Sequence, residues 1–138
     1  MIILDTNVLS ALMQRQPDTA VINWLDKQAA ESIWISSIAL FETRYGLNLL
    51  AEGRRKEMLI GRFDEIVQTD LANRIVVFDV RAATISAELA AVRKSRGRPV
   101  ELRDTFIAGI SMAHGATLAT RNTRHFEDLL TPVVNPWE

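Results

Sequence analysis

The sequence contains no cysteine. That excludes disulfides and thiolate metal sites and fits a reducing, cytoplasmic setting. No apolar run approaches the roughly 18 residues that a membrane span needs. The start lacks the basic flank and long apolar stretch of a signal peptide, so neither a membrane nor secretion is expected. The six glycines form no glycine-rich phosphate loop, which argues against nucleotide-dependent chemistry. The two histidines, His114 and His125, lack metal-motif spacing, which speaks against zinc. A net charge of -1 gives no global attraction to nucleic acid, so any such binding has to come from local patches. Low-complexity tracts, repeats and linker-like stretches are absent.

What remains, 48% apolar and 24% charged over 138 residues, is ordinary for a globular chain and supports one core, so a single domain over 1–138 is expected. Its organising stretch is Ile2-Ile3-Leu4-Asp5-Thr6-Asn7. Three apolar residues, two of them β-branched, read as a strand buried on both faces of a helix-covered sheet. The run stops on small polar residues, with Asp5 where the strand meets the loop. Ligands of open α/β sheets bind just beyond the carboxyl ends of the strands. Asp5 is therefore either the first member of a polar site or a local turn or helix former, a habit it shares with Thr and Asn.

Strands and helices then alternate. Pro17-Asp18 starts a helix whose Ala20, Val21, Trp24, Leu25 and Gln28 share one side. Ser32 to Ile35 reads as a second strand, ended by Ser36-Ser37. A helix is expected over about Ile38–Ala51, and after Gly53 another over about Arg54–Ala72 with Leu59, Phe63, Ile66 and Val67 as its stripe. Ile75 to Phe78 is a third strand, closed by Asp79. Ala82, Ile85, Leu89 and Val92 mark a helix that frays into Ser95-Arg96-Gly97-Arg98-Pro99. A last helix covers about Leu102–His114, Thr117 to Ala119 is a fourth strand, and Pro132 to Asn135 a weak fifth. The alternation predicts a three-layer α/β domain, its mostly parallel sheet of four or five strands covered by helices on both faces.

Two carboxylates fall where helices carry apolar residues. Ile38, Glu42, Tyr45 and Leu49 lie at offsets of four, seven and eleven, which puts Glu42 inside an apolar stripe. A carboxylate facing a core has to be hydrogen-bonded, paired or bound to a cation. Arg44 faces elsewhere on the helix and is not its local partner. Asp104 sits near a helix start with Ile107, Ala108 and Ser111 on its side, although the helix dipole alone accounts for an acid there. With Asp5 at a strand end, the three acids can converge on one face. Three carboxylates and no thiol suit a hard cation, Mg2+ or Mn2+. Such an ion beside a phosphodiester polarises the phosphoryl oxygen and acidifies an attacking water. Positive charge is local: Arg54-Arg55-Lys56, the stretch from Arg93 to Arg98, and Arg121 and Arg124 flanking Asn122. Such runs are usually solvated faces, yet Arg121 and Arg124 adjoin a strand end where a phosphate backbone could pass.

Four segments in order carry a resemblance over the whole chain: Ile3-Leu4-Asp5-Thr6-Asn7-Val8-Leu9, Ser36-Ser37-Ile38-Ala39-Leu40-Phe41-Glu42, Asp104-Thr105-Phe106-Ile107-Ala108, and Thr120-Arg121-Asn122-Thr123-Arg124-His125-Phe126. Together they resemble the PIN-domain ribonucleases, in particular the VapC and FitB-like toxins of bacterial type II toxin–antitoxin pairs, with Asn135-Pro136-Trp137 similar to the FitB-like branch. The resemblance implies a parallel sheet between helices and an acidic site in which Asp5, Glu42 and Asp104 hold magnesium or manganese. It also implies a homodimer and a tight complex with a small antitoxin encoded alongside, operator DNA being reached only through that antitoxin. Many relatives place a fourth acid where this chain has Asn122. Three carboxylates against one divalent cation leave about one net negative charge, enough for a single ion, with any second one recruited by RNA.

The activity this implies is metal-dependent endoribonuclease action. Asp5, Glu42 and Asp104 would anchor the ion that activates a water for in-line attack on an RNA phosphodiester. Asn122, Thr6, Thr120 and Ser37 would orient waters or phosphate, Ser37 reading equally as a helix cap. Single-stranded RNA is the expected target, because an A-form duplex hides its base edges. Trp24 and Trp34 read as core, Trp137 as a packing residue of the C-terminal strand or a dimer contact, His114 as a helix end, and His125 as a minor substrate contact near Asn122. Two rival classes remain. One is a non-catalytic toxin-like module that holds an antitoxin and through it operator DNA. The other is a phosphoryl-receiving domain, which wants paired acids at the first strand and a lysine after the last, and the chain has neither.

Overall fold

The structure, a computed structural model, describes residues 1–98 and 100–138. Five short strands, β1 (Ile2–Leu4), β2 (Ile33–Ser36), β3 (Ile75–Val76), β4 (Thr117–Ala119) and β5 (Val133–Val134), pair in parallel in the order β3-β2-β1-β4-β5. Six α-helices connect them: α1 (Thr6–Met13), α2 (Thr19–Asp26), α3 (Ser37–Asn48), α4 (Arg54–Glu65), α5 (Val80–Ser95) and α6 (Leu102–Ala113). The chain winds from β1 out to β3, then returns to lay β4 along the other side of β1. The strand order thus reverses between β1 and β4, and a crevice opens beyond their carboxyl ends. Asp5 and Thr120 stand at those two ends, and the ladder continues one step past β1, Asp5 N donating to the Ala119 carbonyl at 2.9 Å.

Period-two alternation splits the core between the two faces of the sheet. Leu4, Ile33 and Ile35 point into one cluster with Val8, Leu9 and Leu12 of α1, Val21 of α2 and Phe63 of α4. Ile3, Val76 and Leu118 point into the other, with Leu89 of α5, Ile107 and Ile110 of α6, and Phe126. These are the three layers the pattern predicts. Trp34 lies partly buried in the second cluster, Trp24 and Trp137 in the first. Among the described residues no helix is long and apolar enough to cross a membrane.

Several local readings change. The polar Thr6-Asn7 pair hides α1, which starts at once after β1 and buries Val8, Leu9, Leu12 and Met13. The helix expected to reach Ala72 ends at Glu65 and widens into a π-helical turn over Ile66–Asp70, which keeps Ile66, Val67 and Leu71 buried. Positive φ at Ala72 and Asn73 then turns the chain into β3. β3 is two residues long rather than four, because the Phe78 N–H bonds Ser37 Oγ at 3.0 Å and Val77 turns to solvent. On α3 the buried face is Ala39, Thr43 and Leu47. The stripe through Glu42 is not the core face, since Tyr45 and Leu49 are exposed and Glu42 lies at its margin, half-buried. On α5 the apolar stripe shifts by one: Val92 is exposed and Arg93 is buried. Ser95 still belongs to α5, with Arg96-Gly97 in a turn, and Pro99 lies outside the described residues.

α5 and α6 pack closely because Gly109 has no side chain. A Cβ there would run into Ser86 Oγ and stand 2.9 Å from the Ala82 carbonyl oxygen. Gly109→Ala is expected to lower the unfolding free energy by about 1–3 kcal/mol through overpacking, despite the better helix propensity of alanine. Urea denaturation checks it, and a variant as stable as the parent would contradict the close approach.

Candidate active site

The site is built outward from Asp5, which caps α1 in extended backbone conformation and is only 3% exposed. Its Oδ1 accepts from the Thr6 N–H at 2.8 Å. Its Oδ2 accepts from the Thr120 hydroxyl at 2.7 Å and from Asn7 Nδ2 at 3.3 Å. The two readings of Asp5 are thus compatible: one oxygen serves the helix start, the other faces the end of β4. Thr6 has a second role, its hydroxyl donating to Glu42 Oε1 at 2.9 Å. One residue therefore ties together a carboxylate from the end of β1 and one from α3. Glu42 Oε2 lies 3.8 Å from Arg103. Asp104, in the first turn of α6, holds His125 Nδ1 at 2.8 Å.

The charges of the three acids feel one another. Burial pushes the Asp5 carboxyl above its ordinary value, and the Asp104 charge adds to that, against the Thr120 and Thr6 hydrogen bonds. Burial likewise raises Glu42, with Asp5 and Asp104 repelling it, while Thr6 and Arg103 pull the other way. Among the described residues no cationic side chain bonds Asp5 directly. A hard divalent cation fits this donor set in kind, all oxygen, and in charge, since it would relieve both burial and repulsion. Among the described residues no three His, Asp or Glu groups gather closely enough to enclose an ion.

The other expected residues divide. Thr120 is at the centre: besides bonding Asp5 it accepts from Asn7 Nδ2 and from the Asn122 N–H, at 3.3 and 3.0 Å. Asn122 reaches the site through that backbone bond, while the residue itself is exposed. Arg121 enters through its N–H, which donates to Asn7 Oδ1 at 3.2 Å. Arg124 is exposed and shares a polar pocket with Arg121, Asn122 and His125. Ser37 is not drawn in. Ser36 Oγ accepts from Ala39 N as the cap of α3, and Ser37 Oγ is taken by Phe78. Arg44 pairs with Asp64 and leaves Glu42 alone.

Sequence reasoning missed the support behind Asp104. Arg93, read as part of a solvated basic run, is 3% exposed. Its guanidinium forks onto both oxygens of Asp128 at 2.8 Å, and reaches Thr105 Oγ1 at 2.9 Å and the His125 carbonyl at 2.8 Å. Thr105 follows Asp104, and His125 bonds it, so this buried arginine clamps the acid's surroundings from behind. No local pattern announces it, because its partners lie 12 to 35 residues away. Asn7, two residues after Asp5, had a signal: an amide just past a strand-end acid.

A family model described as PIN domain matches residues 2–129. The plasmid stability protein StbB of Pseudomonas syringae pv. tomato is 41% identical over 138 residues, covering 100% of this chain and 99% of that protein. The VapC ribonuclease Y4jK of Sinorhizobium fredii is 39% identical with the same coverage. Among solved structures, that of FitAB bound to an IR36 DNA fragment superposes with a TM-score of 0.90 at 36% identity, covering 100% of this chain and 96% of that one.

Two outcomes follow from the charges. Asp5→Asn keeps a capping side chain and removes a carboxylate whose charge burial disfavours, so the metal-free protein should have a higher Tm than wild type. Calorimetry in EDTA checks it, and a lower Tm would show that the carboxylate is needed for folding. At Asp128, the Arg93 guanidinium holds the carboxyl below its ordinary value of 3.8. A depressed carboxylate contributes stability that is fully present above the unfolded value and is lost as pH falls through the folded one. Asp128→Asn, which leaves Arg93 buried without its charge, should cost about 3 kcal/mol at pH 7. The gap to wild type should narrow below pH 3.8 in urea titrations, and a gap independent of pH would exclude the ion pair as its source.

Proposed function

The chain belongs to the PIN domain family, and from that premise we propose that it is a ribonuclease toxin, a hydrolase of RNA phosphodiester bonds restrained by a small cognate antitoxin. The observation that carries the reading is the meeting of Asp5 and Glu42 on Thr6 at the strand-order switch point, with Asp104 repelling both from α6. A VapC ribonuclease alignable from end to end supports the reaction class, and a FitAB assembly alignable over the whole chain supports a bound partner. The homodimer comes with the family resemblance, as does contact with operator DNA through the antitoxin alone, and a cytoplasmic setting fits the absence of cysteine.

Asp5, Glu42 and Asp104 would hold magnesium or manganese, which when bound supplies a Lewis acid for a phosphoryl oxygen and a more acidic water. The chain's own groups fix the geometry. Thr120 and Asn7 aim one oxygen of Asp5 toward the crevice, and the Thr6 hydroxyl keeps Glu42 beside it. The reaction is in-line displacement: the water oxygen bonds phosphorus as the bond to the leaving oxygen breaks. The exposed Asn122 amide offers a neutral donor to a phosphate or a water where many relatives have a fourth acid, so the site favours a single ion.

Purified protein freed of antitoxin should cleave RNA in magnesium and not in EDTA. Asp5→Asn and Asp104→Asn, each folded by circular dichroism, should lose about a hundredfold or more in rate. Cleavage that persists in both variants would sink the acidic-site mechanism. Absence of cleavage by every form, on structured and unstructured RNAs, would favour a module that acts only by holding its antitoxin.

A further inference from the structure

Three pockets lie beside the acidic site, and neighbours share walls; of the three acids, Glu42 lines the first. The first, about 210 Å³, includes Thr6, Glu42, Thr43 and Arg55. The second, about 370 Å³, includes Asn7, Gln14, Gln16, Arg121 and Trp137. The third, about 250 Å³, includes Arg121, Asn122, Arg124 and His125. Ser10 and Gln14 line both the first and the second, and Arg121 lines both the second and the third. The three therefore form a track along α1 toward its C-terminal end, with Glu42 at one end and His125, the partner of Asp104, at the other.

Charge along the track comes at intervals. Arg55, Arg121 and Arg124 have no ion-pair partner among the described residues, as is also true of Arg15, Arg54, Arg74, Arg81 and Arg96, whereas Arg44, Arg62, Arg93, Arg98 and Arg103 are paired. The walls also contain Asp18 and Glu138, so this is not a uniformly basic surface. It suits a chain in which phosphates alternate with neutral groups. Arg121 is braced, its guanidinium carbon 4.8 Å from the Trp137 ring centroid and its N–H on Asn7. Such stacking pre-sets a planar fork for phosphate. In the first pocket Thr43 is 7% exposed with a hydroxyl that has no hydrogen-bond partner among the described residues. A buried group of that kind costs stability unless something meets it.

We propose that this track binds one single strand of RNA, one nucleotide to a pocket, with phosphates on Arg55, Arg121 and Arg124 and with Trp137 as the positioning residue of Arg121. The proposal rests on the ribonuclease reading and extends it to the substrate's path. A single strand is required because separate pockets need splayed bases, which a duplex does not offer.

The test uses the full-length Asp5→Asn protein in magnesium and a fluorescently labelled single-stranded RNA, read by anisotropy over a range of salt. Arg55→Gln and Arg121→Gln should each weaken Kd about tenfold and flatten the salt slope by about 0.7–0.9. Arg81→Gln, on the exposed start of α5, should change Kd less than the track variants while lowering net charge equally. Trp137→Leu should weaken binding, Trp137→Phe should restore it, and Trp137→Leu should add nothing once Arg121 is gone. Unchanged Kd and slope in both track variants would overturn the proposal, as would equal losses in Arg81→Gln or equal affinity for a labelled duplex. Arginine-dependent binding by a protein that never cleaves RNA in wild-type form leaves the track standing and removes the ribonuclease reading. Wild-type cleavage with indifferent arginine variants does the reverse.

Discussion

A carboxylate at the end of the central strand, Asp5, is buried to 3% exposure with no cationic side chain bonded to it among the described residues, and the rest of the crevice is arranged around that cost. Three donors offset part of it: the Thr6 N–H from α1, the Thr120 hydroxyl from the end of β4 and the Asn7 amide. None brings a full positive charge. The carboxyl is consequently held above its usual range and carries an unbalanced negative field into the crevice. Folding tolerates this because the parallel sheet leaves the strand-end backbone paired, Asp5 N still donating to Ala119. The result is a polar centre on a rigid frame, where a displaced cation or phosphate would find its partners already oriented.

The second support lies on the far side of the sheet. Arg93 of α5 is neutralised by Asp128, and its remaining donors go to Thr105 and to the His125 carbonyl. A buried arginine with four hydrogen bonds fixes the angle between the start of α6 and the turn that carries His125. Asp104 is thereby set by two neighbours rather than by its own helix alone. The close α5–α6 contact at Gly109 belongs to the same construction, since it seats α6 against the helix that bears Arg93.

The site makes two kinds of demand. The acids need burial and fixed geometry, which come from short strands and capped helices. A polymeric substrate needs an open path, which comes from loops and exposed helix faces beside them. A mostly apolar cavity of about 430 Å³ satisfies neither: Leu12, Ile22, Leu25 and Leu71 line it beside Arg62 and Asp70, and none of the three acids borders it. Charge and hydrogen bonding, not concavity, locate the chemistry.

Local sequence determined the layers, the strand that carries Asp5 and the acids at Glu42 and Asp104, because period-two and period-3.6 patterns report burial over a few neighbouring residues. It misjudged features set by distant partners. The stripe through Glu42 looked internal, yet α3 turns Ala39, Thr43 and Leu47 inward because those positions meet α1 and the sheet. Arg93 looked solvated because Asp128 is 35 residues away, and β3 stopped short because Ser37, 41 residues back, takes the Phe78 N–H. Serine at 36 rather than 37 caps α3, a one-residue choice that helical propensity does not make. Residue types and spacing thus specified which groups are present. The meeting of Asp5 with Glu42 on one threonine, and the buried arginine behind Asp104, were decided only when the parallel crossovers brought residues far apart in sequence within hydrogen-bond reach.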